Sequence, residues 1–338
     1  MGASMHSAGL WTLAWRRLRQ DRLAMAALAV VAGFLLLVLL TASGLLAADW
    51  EDEVAINYAP PSFLAGAPAA QARQARAAAA ALPANPADPL APEIAALRAE
   101  LARAGVRPPA ERLPSLPFGA DKWGHDVLAK TLQGARTSLV VGFAAALLAV
   151  AIGTALGAVA GFFGGWVDAV CNWAYAVFTA IPNILMILAV AAVLQQKGVL
   201  SIVLILGLTS WTGPYRLVRA EYLKHRVREY VQAARAIGAS SWRQIFVHIF
   251  PNVSHVTLVQ TSILVVGCIK AEVVLSFLGF GVPVGVVSWG SMLNEAQNEL
   301  ILGKWWQLTA AASAMAVLVT AFSLLTDALR DALDPKIK

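Results

Sequence analysis

Apolar residues in this chain fall in long runs, with the charged residues gathered between them. Runs of that kind predict helices that are apolar on every side, which suit a bilayer rather than water. The first run, Leu23 to Ala47, is uncharged and follows Arg16, Arg17, Arg19 and Arg22. Its roughly 25 residues at about 1.5 Å each exceed a hydrocarbon core of about 30 Å, whereas a signal-peptide core has only about 7 to 15 residues. The expectation is an uncleaved anchor with its N-terminus in the cytoplasm. Further apolar stretches run from about Ser138 to Phe163, Ala169 to Leu194, Val199 to Trp211, Ser254 to Phe280 and Trp305 to Thr326. The pattern therefore predicts six spans and places both termini on the cytoplasmic side. The fourth is short and must borrow Thr212 to Tyr215 to cross.

Charge supports the same orientation. Arg216, Arg219, Lys224, Arg226, Arg228, Arg235 and Arg243 lie between the fourth and fifth spans against Glu221 and Glu229, the basic excess of a cytoplasmic loop. Overall, 59% of residues are hydrophobic, 14% are charged and the net charge is +6, with a mean hydropathy of +0.66. The basic residues flank apolar runs, so they imply a lipid bilayer as partner and no nucleic acid. Cys171 and Cys268 lie inside apolar runs without zinc-ligand spacing, and we read them as structural thiols with no metal site.

The chain divides into a cytoplasmic segment (1–22), an anchor helix (23–48), an exported Ala/Pro-rich insert (49–137), a core of five spans (138–326) and a cytoplasmic tail (327–338). Within the insert, Ile94, Leu97 and Leu101 share one helical face, with Gly105 and Pro108 as a stop signal. The insert reads either as a loosely ordered helical surface or as a docking surface. Gly153, Gly157 and Gly161 in the second span form a smooth ridge for close helix packing. Pro182 is expected to kink the third span, with gating as one reading. Lys270 and Glu272, two apart in the fifth span, point to different sides of their helix. Each needs water, the interface or another helix, which leaves a snorkelling lysine with an interface-anchored glutamate, or a lining of the exit-side translocation path, as alternatives.

One polar segment, "EYVQAARAIGASSWRQIFVHIFPNV", reads as two short helices hinged at a glycine. Tyr230, Ala233, Ala234 and Ile237 recur at i, i+3, i+4, i+7 and form a face with little bulk at its centre. Gly238 stands at the position of a left-handed C-cap, Ser241 with Gln244 matches a capping box, and Pro251 is expected to close the second helix. The second helix has its own apolar face in Trp242, Ile245, Phe246 and Ile249, suited to lying against the bilayer or the bundle. A DNA-binding helix-turn-helix is discounted because the segment is confined between spans. A structural hairpin and a docking element for a cytoplasmic protein remain.

Gln232, Ala233, Ala234, Gly238 and Pro251 match the spacing of the EAA signature of ABC-importer permeases. His248 and Phe250 replace its isoleucine and leucine. With "FGADKWGHDVLAKTLQGARTSLVVG" and "SFLGFGVPVGVVSWGSML", the chain from Phe118 to Pro335 resembles the C-type permease subunit of dipeptide and oligopeptide importers. The resemblance implies an all-α polytopic membrane protein of the type I, MetI-like permease fold in the inner membrane. It implies a coupling loop over 215–251 whose first helix, with Tyr230, Gln232, Ala233, Ala234, Arg235, Ile237, Gly238, Ala239 and Ser240, docks on an ATPase. The implied partners are a second homologous permease subunit forming a heterodimer, two cytoplasmic ABC ATPase subunits, an exported solute-binding protein and a peptide-like substrate. One departure stands out: the family's leading glutamate is Gln232, so a charged contact there must be replaced by a neutral one or by Glu229.

The chain has no G-x-x-x-x-G-K-[ST] loop, no H-E-x-x-H and no G-x-S-x-G. We therefore expect a non-catalytic subunit without a cofactor of its own, with ATP and magnesium on the partner ATPases. The rival reading is a self-sufficient secondary transporter or channel, motivated by Lys270 and Glu272.

Overall fold

The computed structural model describes residues 10–64, 89–103, 112–194, 196, 198–283 and 285–333. Helix α1 (Leu10–Gln20) and helix α2 (Arg22–Ala42) meet at Asp21, whose carboxylate accepts the amide N–H groups of Leu23 and Ala24 at 2.8 and 3.2 Å. That cap starts the apolar α2 and makes a separate helix of the arginine-rich segment before it. Helix α3 (Ala91–Arg103) carries the expected face of Ile94, Leu97 and Leu101, and all three are exposed. The stop signal at Gly105 and Pro108 lies outside the described residues.

Helix α4 (Val127–Phe163) is the mast of the molecule, 37 residues and so about 55 Å long. It begins at Val127 rather than Ser138 because the Asp126 carboxylate caps it, accepting the Leu128 amide at 2.8 Å. It ends at Gly164, where φ is +67°. Helices α5 (Gly165–Ala180) and α6 (Asn183–Leu194) replace the single third span, bent by 89° at Pro182. Pro182 was expected to kink a continuous helix and instead breaks it. The proline ring drives the preceding Ile181 into an extended conformation, φ −104° and ψ 133°, which no helix tolerates.

Helix α7 (Val199–Thr209) has 11 residues, too short alone for a bilayer, and Ser210 separates it from α8 (Thr212–His225). After α9 (Glu229–Ala236) comes α10 (Ser241–Phe277), an unbroken helix of 37 residues. Pro251 thus does not close a helix before the fifth span. A π-helical stretch, Gln244–Ile249, widens the turns before it, which accommodates the proline ring and its missing N–H without a stop. Helix α11 (Trp289–Ile301) was not anticipated, and α12 (Trp306–Leu333) runs past the expected Thr326. Arg17 of α1 donates to the carbonyl of Ala332 at the end of α12, placing a cation against that helix's negative terminus.

Among the described residues four helices, α2, α4, α10 and α12, are long and apolar enough to cross a membrane, and the bent α5–α6 pair makes up to five. The core sits where α4, α10, α11 and α12 meet, around the buried Trp289, Leu139, Ile269, Leu275 and Met292. The two ends of the insert are laced to each other by backbone hydrogen bonds. Ala55 donates to Gly124 and Ile56 to Leu113, each at 3.0 Å, while Ser62 donates to Leu116 and Ala120 to Ala59, each at 2.8 Å. Gly124, with φ +93°, is required there because a Cβ would collide with the carbonyl of Ala55.

Candidate functional site

The two ends of α4 carry different chemistry. At its C-terminal end, the ridge of Gly153, Gly157 and Gly161 lies against the α8 backbone. A Cβ at each would meet the carbonyl oxygens of Trp211, Tyr215 and Arg219 at 2.5, 2.8 and 2.8 Å. The four-residue step of the ridge matches the four-residue step of those carbonyls, so the helices approach backbone to backbone. Arg219 closes the arrangement with a two-point pair to Asp168 of α5, at 2.5 and 2.7 Å.

Helix α8 thereby presents α9. Val231 is buried against Val218, Tyr222, Ile245 and Ile249, and Ala234 is buried as well. Tyr230, Gln232, Ala233, Arg235, Ala236 and Gly238 are exposed, and Ile237 is 85% exposed. The expected docking face is therefore corrected at one position: Ala234 faces inward, and the outward apolar surface is Tyr230, Ala233 and Ile237. Seven residues from Val231 to Ile237 cover two turns, so residues three apart at 231 and 234 anchor the helix while 230, 233 and 237 look away.

Gly238 has φ +87°. Its N–H donates to the carbonyl of Arg235, and that of Ala239 donates to Ala234, both at 3.0 Å. These are the paired bonds of a Schellman ending. The cap of the next helix is one residue earlier than expected: Ser240, not Ser241, accepts the Arg243 amide, at 3.4 Å. Gln244 turns back to donate to the Ala239 carbonyl at 2.7 Å, so it ties the hinge instead of completing a capping box.

Other side chains fix the angle of α9. Gln232 donates to the Val227 carbonyl at 3.1 Å, and Arg226 donates to the last carbonyls of α4, Gly161 and Phe162, at 3.3 and 3.4 Å. Tyr230 shares a 2.8 Å hydrogen bond with His225 Nδ1, and burial lowers the His225 pKa from its ordinary value, favouring the neutral ring that can make it. A cavity of about 760 Å³ opens between Phe162 and Phe163 on one side and Gln232 and Arg235 on the other. The apolar face expected of the second helix is divided. Ile245 and Ile249 are fully buried, whereas Trp242 and Phe246 stack on each other, 5.9 Å apart, at the surface.

Toward the opposite end of α4, Glu272 is fully buried and accepts hydrogen bonds from Ser138 and Ser276, both at 2.7 Å. The Trp289 amide donates to Ser138 at 3.3 Å, which joins α11 to the same knot. Glu272 therefore holds α4, α10 and α11 together and lines no open path in this arrangement. Lys270 is exposed on another side of α10, in a stripe with Ile263, Gly267 and Val274.

Above this joint is an ionic cluster that sequence reading missed. Lys130 Nζ donates to Asp121 at 2.7 Å and to Glu295 at 2.6 Å, and His125 pairs with Asp121 at 2.9 Å. Burial alone would raise the Asp121 carboxyl, but the Lys130 ammonium and the hydrogen bonds from Lys130 and His125 outweigh it and hold the pKa low. Its members lie 9 and 165 residues from Lys130, a separation that no local pattern reveals. A cavity of about 560 Å³ borders the cluster at Lys130, His125 and Glu295, with Trp50, Trp123 and Asn294.

Long apolar helices around a glycine-packed mast, with an exposed helix presented at one end, define a multi-pass membrane protein of the permease class. A family model for the binding-protein-dependent transport system inner membrane component matches residues 153–338, and one for the N-terminal TM domain of oligopeptide transport permease C matches residues 9–61. The chain belongs to this family of ABC-transporter permeases for peptide transport. It is 36% identical over 244 residues to the dipeptide transport system permease protein DppC of Bacillus subtilis, covering 72% of this chain and 75% of that one. It is 36% identical over 221 residues to the oligopeptide transport system permease protein OppC of the same organism, covering 65% and 72%. Against the peptidoglycan transport system permease protein YejE of Agrobacterium fabrum it is 35% identical over 219 residues, covering 65% and 57%.

Proposed function

We propose that this chain forms one half of the translocation channel of an importer for di- or oligopeptides. In this reading it crosses the inner membrane six times with both termini in the cytoplasm. It pairs with a second, homologous permease, receives solute from an exported binding protein and is driven by two cytoplasmic ATPases that carry the ATP and magnesium. This chain contributes no catalytic group. Helix α9 is the coupling element, and the observation that carries the reading is its outward face of Tyr230, Ala233 and Ile237, held at a fixed angle by the Gly238 ending, Arg226 and Gln232. Closure of an ATPase cleft on that face would move α8, and through the glycine ridge α4, as one body. We assign Lys270 and the elbow at Pro182 to the translocation path, and Glu272 to the joint that steadies it. A self-sufficient transporter would draw on Glu272, and its burial against the Ser138 and Ser276 hydroxyls gives that rival no support.

Gly238 tests the coupling. A Cβ there would meet nothing within 4 Å, so a substitution acts only through the left-handed backbone. The cost is about 1–2 kcal/mol for a residue with a Cβ, and more for a β-branched one. Gly238→Val is expected to insert and assemble while uptake and ATPase stimulation by loaded binding protein fall at least about tenfold, with Gly238→Ala between it and wild type. Wild-type uptake by the valine variant would show that the angle of α9 does not couple ATP to transport.

A further inference from the structure

Two carboxylates, Asp121 and Glu295, meet the buried ammonium of Lys130 and a third, Glu299, lies within reach of its charge, and the three are unequally served. Asp121 accepts from Lys130 and His125 and from the amides of Trp123 and His125, at 2.7 to 3.0 Å. Glu295, partly exposed, accepts from Lys130 and from Gln307 at 3.2 Å. Glu299, one turn along α11 and 1% exposed, receives only the Lys122 amide on Oε1, at 3.2 Å. Its other oxygen, Oε2, is buried without a hydrogen-bond partner among the described residues, as is Gln307 Oε1 in the same cluster. One ammonium cannot neutralise three carboxylates, two of them buried, and the orphaned oxygen marks the one that is not ionised.

We propose that Glu299 is a proton-binding site: its carboxyl is neutral in the arrangement seen, and loss of the proton loosens the 119–126 turn from α11 and with it a wall of the adjoining cavity. The groups that face it come from every neighbouring element. The turn contributes Asp121 and, beyond it, His125; α4 contributes Lys130; α11 contributes Glu295; α12 contributes the neutral Gln307. Lys122 and Lys304 meet Glu299 only through their amides, and their ammonium groups lie over Trp123 and Trp306. Burial, and next the charge of Asp121, push the Glu299 carboxyl from its ordinary 4.5 up to about 7, against the pull of the Lys122 amide and Lys130. The folded chain thus keeps a proton that the unfolded chain has lost, and its stability falls as pH rises from 4.5 to about 7. Once ionised, Glu299 must draw water or share Lys130 with Asp121 and Glu295. Either change disturbs the contacts that hold the turn, including the Lys122 amide bond and the Lys130 bridge to α11.

Hydrogen exchange of the full chain in lipid nanodiscs reads this directly and does not depend on the transport assignment. Corrected for intrinsic rates, the protection of the Lys122, Trp123 and His125 amides is expected to fall about tenfold between roughly pH 6 and pH 8 in the wild type and to stay level in Glu299→Gln. An equal fall in both proteins, or none in the wild type, overturns the proposal. A second measurement covers a variant that fails to assemble. Carboxyl-labelled glutamate in Glu272→Gln, which lacks the other fully buried glutamate among the described residues, should give an infrared band of a protonated carboxyl at about pH 6 that disappears by about pH 8. Absence of that titrating band also overturns it.

Discussion

Gln232 performs a task that the glutamate of the family signature could not. Its amide nitrogen donates to the carbonyl of Val227 across the turn that feeds α9, and a carboxylate at that position would only accept. The residue thus stiffens the turn from within the chain, while its exposed edge remains available to a partner. Gln232→Glu is expected to lose about 0.5–1.5 kcal/mol of local stability, the usual net worth of one hydrogen bond, and Gln232→Ala a similar amount. Hydrogen exchange at Val231 and Gln232, whose amides bond to the Arg228 carbonyl, would register the loss as faster opening of the first turn of α9. Unchanged exchange in both variants would assign Gln232 to the partner rather than to the turn. The departure from the signature makes this position legible in the sequence, with a neutral contact or Glu229 as the alternatives for the lost charge, whereas the bond to Val227 is not legible there. The acceptor is a backbone carbonyl, and backbone acceptors leave no trace in residue type.

Between elements, packing depends on how closely backbones approach, and the contact of α4 with α8 is the tightest test. At Gly157 an added Cβ would meet the carbonyl of Tyr215 at 2.8 Å and the amide nitrogen of Arg219 at 3.0 Å, so the neighbours that must yield are main-chain atoms. Gly157→Ala should cost about 1–3 kcal/mol by overpacking, whereas Gly267→Ala on α10, where nothing lies within 4 Å, should be tolerated. Unfolding of the two variants in detergent compares them; equal midpoints would mean that α8 slides off the ridge without penalty. The ridge was legible because a four-residue glycine spacing has one common structural use. The continuity of α10 was not, since a proline after a glycine hinge normally announces a stop and only the π-helical turns before Pro251 prevent it. Helix α11 was overlooked although its signals were present. Ser288 and Ser291 form a reciprocal capping box, and Trp289, Met292, Ala296 and Glu299 recur on one buried face. Its 13 residues are too few and too polar for a span, and a reading organised by spans passes over such a helix.

For the molecule as a whole, the insert is attached at both ends rather than hung from one. Residues 53–64 and 112–126 bond to each other along their lengths, around a small core of Ala55, Ala59, Leu116 and Ala120. Trp306 at the start of α12 donates to the Ala120 carbonyl at 2.7 Å, so this platform is seated on the bundle. The backbone of Ser62 lies within hydrogen-bond reach of Leu116, 2.8 Å from N to O. Everything between them therefore forms a closed excursion that a short linker can replace, because loop closure is already provided by the platform. Deleting 67–109 and joining the ends with a short Gly/Ser linker is expected to leave insertion, assembly and thermal stability within about 1 kcal/mol of wild type. The excursion is also longer than a connection requires, and in the transport reading it stands on the side from which the binding protein delivers solute. We expect the deletion to weaken binding of that protein to the reconstituted complex by at least about tenfold, with uptake at saturating binding protein largely preserved. Surface plasmon resonance on nanodisc-held complex measures the first and vesicle uptake the second. Unchanged affinity would leave the excursion without a part in delivery, whereas loss of assembly would mean that the platform does not hold without it.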